Sequence, residues 1–92
     1  MSLRDKDAPA GTTVRLTCRV ISKSRYTAKW FKNEEAVRSD SRFDLRSDFA
    51  SQTLVIKDCR VEDSGEYRCE VKNTDGVEST TAMLTIQGRF LA

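Results

Sequence analysis

Asp63, Gly65, Tyr67 and Cys69 occupy alternate positions of Asp63-Ser64-Gly65-Glu66-Tyr67-Arg68-Cys69, and Cys18 and Trp30 precede them in the chain. Alternate residues of a strand share one face, so Tyr67 and Cys69 point inward together, with Val71 as the next member of the row. Val14, Leu16, Cys18 and Val20 make a second such row, separated by Arg15, Thr17 and Arg19. Period two with one wet face predicts half-buried strands. Further short rows follow: Ala28, Trp30 and Lys32; a weaker one around Ala36-Val37; Phe43 and Leu45; Leu54 and Ile56 within Thr53 to Lys57; and Ala82, Leu84 and Ile86. Val61 to Gly65 reads as one turn and Asn73-Thr74-Asp75-Gly76 as a hairpin turn. Many short strands separated by turns, with no helical periodicity, predict an all-β chain of two packed antiparallel sheets. Pro9 lies ahead of the central strands and interrupts none of them.

Ninety-two residues accommodate one small domain. Residues 8–87 read as that domain, residues 1–7 as a leader and residues 88–92 as a tail or linker. A net charge of +2 is too weakly basic to imply nucleic acid, and no stretch has the length and apolarity to cross a bilayer. The chain has no histidine, which removes the usual general base and the commonest metal ligand. Three widely spaced cysteines form no zinc-like pair, and no glycine-rich loop cradles a phosphate. The expectation is a non-catalytic domain without cofactor, metal or small-molecule substrate.

Gly11-x-x-Val14-x-Leu16-x-Cys18, Trp30-Phe31-Lys32, Leu54-x-Ile56-x-Asp58, the run from Asp63 to Cys69, and Asn73-x-x-Gly76 together resemble the I-set immunoglobulin domains strung in tandem in giant intracellular muscle proteins such as obscurin, titin and the myosin-binding proteins. The resemblance implies an immunoglobulin-like Greek-key sandwich in which Trp30 packs on the Cys18 and Cys69 pair and Tyr67 makes a hydrogen-bonded corner. Trp30, Leu54 and Tyr67 are then its core signature. Two features depart from that pattern: Ser22 to Thr27 replace a Gly-x-Pro-x-Pro loop, and Lys32-Asn33-Glu34 lacks the glycine of the usual turn.

Cys18 and Cys69 are implied to lie together, bridged in an oxidising compartment or buried as thiols in a reducing one. A bridge would contribute about 4 kcal/mol in the loop-closure picture. Cys59 then reads as a buried free thiol filling core, with a redox-sensitive cysteine as the alternative. The resemblance places Arg42 beside the turn carrying Asp63, where a charge-assisted hydrogen bond would clip the end of the sandwich.

Candidate protein-binding residues are Phe31, which should point away from Trp30, and Thr80, Thr81 and Met83 on the last strand. The alternative for Phe31 is cover by neighbouring lysine and arginine stems. The basic group Arg19, Lys23, Arg25 and Lys29 reads as a solvated surface, with an acidic partner as the sharper possibility. The resemblance implies a structural and interaction module, one unit of a tandem array in a cytoplasmic sarcomeric or cytoskeletal scaffold. Its partners would be other proteins, including another immunoglobulin domain paired through an exposed edge, either the first strand or the last. The alternatives are an extracellular receptor or adhesion domain, and a regulatory appendage of a kinase or exchange-factor chain.

Overall fold

The computed structural model describes residues 2–22, 24–48 and 50–88. Eight strands follow one another: β1 (Lys6–Pro9), β2 (Val14–Arg19), β3 (Thr27–Lys32), β4 (Glu35–Ala36), β5 (Phe43–Asp48), β6 (Ser51–Ile56), β7 (Gly65–Asn73) and β8 (Gly76–Gln87). A 3-10 turn, Val61–Asp63, leads into β7. One sheet has the order β1-β8-β7-β3-β4 and the other β2-β6-β5. All neighbours are antiparallel except β1 and β8, which run parallel.

The inward rows meet between the sheets. Val14, Leu16, Cys18 and Val20 face Trp30, Tyr67, Cys69, Ala82, Leu84 and Ile86 across a dry core that also holds Leu54 and Ile56. Leu54, Ile56, Tyr67 and Cys69 are fully buried. Val55 is the exception to the alternation. Its register partners are Arg15 and Asp44 on the outer face, yet it is 2% exposed and stands outside the central cluster.

Two hairpin turns show why particular residues stand where they do. Asn33 and Glu34 adopt φ of 47° and 69° between the paired Lys32 and Glu35. Two left-handed residues make the turn whose twist suits a two-residue hairpin. Asn33 Oδ1 also accepts from the Glu66 N–H at 3.0 Å, and a Cβ on Gly65 would come within 2.9 Å of that same side chain. Asn73 Oδ1 closes the second hairpin by accepting from the Asp75 and Gly76 N–H groups at 2.8 and 3.1 Å.

The folded unit starts earlier than residue 8. β1 begins at Lys6, and Leu3 is buried in the core with its N–H bonded to Thr80 Oγ1 at 2.9 Å. Asp5 is likewise engaged, its carboxylate accepting from the Met83 N–H at 2.9 Å. Short polar runs with one apolar residue show no period, so Leu3 gives no strand signal of its own. Of the segment 88–92, only Gly88 belongs to the described residues; Met1, and Lys23 of the basic group, also lie outside them.

The parallel pairing also corrects the expected edge. β1 covers β8 from Leu84 to Gln87, so that part of the last strand is interior to its sheet. The Ala10 N–H donates to the Gln87 carbonyl at 2.9 Å, so even-numbered residues of β1 face β8. Pro9, which has no N–H, falls at a position turned away from that ladder.

Candidate functional site

Cys18 and Cys69 are both buried and unbridged within the same core cluster. The shared hydrogen bond with Cys18, together with burial, pushes the Cys69 thiol up. Trp30 pairs in register with Cys69 and is 2% exposed, and its Nε1–H has no hydrogen-bond partner among the described residues. Cys59 is 1% exposed; its thiol donates to the Pro9 carbonyl at 3.3 Å and lies 3.7 Å from Thr12 Oγ1. It belongs to the closed end of the core, where its backbone N–H and carbonyl bind Thr12 and Gly11.

Asp63 organises the turn before β7. Its carboxylate receives a fork from Arg42, at 2.8 Å to Oδ2 and 3.1 Å to Oδ1, and the Arg60 N–H at 2.8 Å. Its backbone carbonyl accepts from the Tyr67 hydroxyl at 2.6 Å. Burial opposes the charge on Asp63, but the Arg42 hydrogen bonds and the Arg60 N–H outweigh it and hold the carboxyl below the usual carboxylate range. Burial pushes the Tyr67 phenol up, which keeps it protonated as a donor. All the polar groups around Asp63 are taken up by one another. That is the chemistry of a clasp.

Phe31 lies on the outer face of the five-stranded sheet, opposite Trp30. The Arg68 guanidinium sits 4.2 Å from its ring centroid. Arg68 in turn binds Glu70 at 2.6 Å and Glu34 at 3.0 and 3.3 Å, so two carboxylates fix the cation over the ring. Phe31 is therefore roofed rather than free. Periodicity alone could not find Arg68 and Glu34 as partners. The β3–β7 register puts Phe31 opposite Arg68, and the tight turn brings Glu34 back toward it.

Thr80, Thr81 and Met83 do not form one patch. Thr81 and Met83 share the outer face with Met83 48% exposed, whereas Thr80 follows the inward row of Ala82 and spends its hydroxyl on Leu3. Sequence reading also missed a buried polar link. Gln52 is 5% exposed, accepts from Ser47 Oγ at 2.8 Å and donates to the Tyr26 hydroxyl at 3.1 Å. Gln52 falls in the inward row of β6, and only the cross-sheet neighbours reveal why a polar side chain is tolerated there. Among the described residues, no group of three or more His, Cys, Asp or Glu side chains is placed to hold a metal ion. Among the described residues, no helix is long and apolar enough to cross a membrane.

Comparison with known proteins finds relatives among muscle proteins and among cell adhesion molecules alike. The chain is 36% identical to the titin homolog of Caenorhabditis elegans over 99% of its own length and 0%, to the nearest percent, of that protein. It is 33% identical to the muscle M-line assembly protein unc-89 of Caenorhabditis elegans over 92% of its length and 1% of that protein. The chain thus spans about 1% or less of these two relatives. Its backbone superposes on domain M4 of titin with a TM-score of 0.91 at 30% identity, covering 95% of this chain and 91% of that one. The immunoglobulin I-set domain family matches residues 1–86, and with the two-sheet architecture and the Cys18, Trp30, Tyr67 and Cys69 core now described, the chain belongs to that family.

Proposed function

We propose that this domain is a non-catalytic, load-bearing and protein-binding unit of a tandem array in a sarcomeric or cytoskeletal scaffold. The observation that carries the reading is the parallel pairing of the first and last strands, from Lys6↔Leu84 to Pro9↔Gln87. Tension applied at the two ends of the domain would load those backbone hydrogen bonds in shear, and several must break together before the chain can extend. The similarity to the titin homolog and to the muscle M-line assembly protein unc-89 supports the muscle setting. The polar clusters support the absence of catalysis, because Asp63, Arg42 and Tyr67 are consumed by structural bonds.

Single-molecule pulling on a tandem repeat of this domain tests the proposal. Ala8→Pro deletes one N–H that faces β8, at a half-buried position packed against the core. The expected result is a clearly lower unfolding force than wild type, beyond what its loss of chemical stability accounts for. Equal forces for the two proteins would remove the load-bearing role.

A further inference from the structure

The three-stranded sheet ends on β2, and among the described residues no strand pairs with its outer edge. The Val20 N–H donates to the Ala50 carbonyl at 2.9 Å, and antiparallel pairing alternates. Even-numbered residues of β2 therefore bond to β6, while the N–H and carbonyl groups of Arg15, Thr17 and Arg19 face outward. Lys6 covers one of these, its ammonium donating to the Arg15 carbonyl at 2.6 Å. The other outward groups on Thr17 and Arg19 have no protein partner among the described residues. An edge of this kind is a template for an added strand.

The side chains around that edge specify what would be added. Arg15, Thr17 and Arg19 are exposed on the outer face, and neither arginine forms an ion pair among the described residues. On the inner side, a groove of about 320 Å³ runs between β2 and residues 2–6, lined mostly by polar and charged residues, Arg4, Lys6 and Arg15 among them, with the buried Leu3 and Leu16. A strand laid along β2 would send alternate side chains to these two environments. Residues opposite Arg15, Thr17 and Arg19 would emerge beside the two guanidinium groups, and the intervening ones would enter the groove, where Arg4 and Lys6 join Leu3 and Leu16.

We propose that the β2 edge, rather than β8, accepts an extended acidic segment of a partner protein. This rests on the reading of the domain as an interaction module and names the surface and the chemistry of its partner. The main chain supplies strand pairing, and the arginines of the outer face, with Arg4 and Lys6 of the groove, select acidic side chains.

The test uses the 92-residue chain and a synthetic peptide, acetyl-Glu-Val-Glu-Val-Glu-Val-amide, with the Lys-Val counterpart as control. Amide NMR and hydrogen exchange are followed residue by residue. In the free protein, the Thr17 and Arg19 amides should exchange fast, and the acidic peptide should slow them by at least about tenfold. The Lys-Val peptide should leave them unchanged. The double variant Arg15→Glu, Arg19→Glu should weaken binding by about tenfold or more with an unaltered β7–β8 amide spectrum. Arg15→Ser, Arg19→Ser serves the same purpose if charge reversal disturbs folding. Slow exchange at Thr17 and Arg19 in the free chain would mean the edge is already occupied, and equal binding of both peptides would mean that no charge selection exists. Either result overturns the proposal. Both are independent of the unfolding force, so a failed edge and a failed load-bearing role are told apart.

Discussion

The Tyr67 hydroxyl donates a 2.6 Å hydrogen bond to the backbone carbonyl of Asp63, four residues earlier, in a site with no solvent exposure at the ring. The bond ties the start of β7 to the turn that precedes it, while the Asp63 carboxylate reaches the other sheet through Arg42. One residue thus joins both sheets at one end of the sandwich. Tyr67→Phe keeps the ring and deletes only the donor. It should cost about 1–2 kcal/mol, with part of that from the buried carbonyl left unsatisfied. Urea denaturation of the two proteins measures it, and a cost near zero would mean water replaces the hydroxyl.

The Arg42–Asp63 pair makes stability depend on acid. Asp63 has a depressed carboxyl pKa in the folded state. Its contribution is therefore fully present above the unfolded carboxylate value of about 3.9 and is lost as pH falls from there through the folded value. Arg42→Met leaves the nearly buried Asp63 charge without its fork. The variant should lose about 3 kcal/mol at neutral pH. Its stability should fall less than that of wild type, or even rise, as pH drops below about 4. Urea midpoints collected across that range give both numbers, and parallel curves for the two proteins would contradict the assignment.

Glu34 occupies a left-handed position usually given to glycine, φ 69°, while its carboxylate holds Arg68 over Phe31. Glu34→Ala and Glu34→Gly both forfeit that ion pair, so the difference between them isolates the backbone. The glycine variant should be more stable than the alanine variant by about 1 kcal/mol. Equal midpoints in urea would show that the turn carries no left-handed penalty.

The three thiols should be silent to solvent. Cys18, Cys59 and Cys69 are each at most 1% exposed, and the shared bond with Cys18, aided by burial, pushes the Cys69 thiol up. In protein kept reduced, a thiol reagent at neutral pH should label no cysteine while the chain is folded and all three in denaturant. Fast labelling of Cys59 alone in the native protein would revive it as a redox-sensitive group.

The architecture was legible because period-two rows such as Val14-Leu16-Cys18 and Ala82-Leu84-Ile86 report the face that must be buried, whichever strands come to lie beside them. What a side chain touches sideways is another matter. Thr80 reads like Thr81 in sequence, yet its hydroxyl is taken by Leu3, a residue 77 positions away. The interior position of β8 from Leu84 onward depends on a parallel partner at the opposite end of the chain, and no local pattern announces it. Phe31 shows the same limit. Its orientation follows from its neighbour Trp30, but its cover comes from Arg68, Glu34 and Glu70 through the β3–β7 register and a tight turn.

The joining of the first and last strands is the relationship on which load-bearing depends, and amide hydrogen exchange reads it most directly. The Ala10 N–H, bonded to the Gln87 carbonyl at 2.9 Å, and the Ala8 N–H of the same ladder face should exchange slowly, while the outward Asp7 N–H exchanges fast. Fast exchange at both alanines would mean that β1 is not held by β8, and the load-bearing account would fail with it.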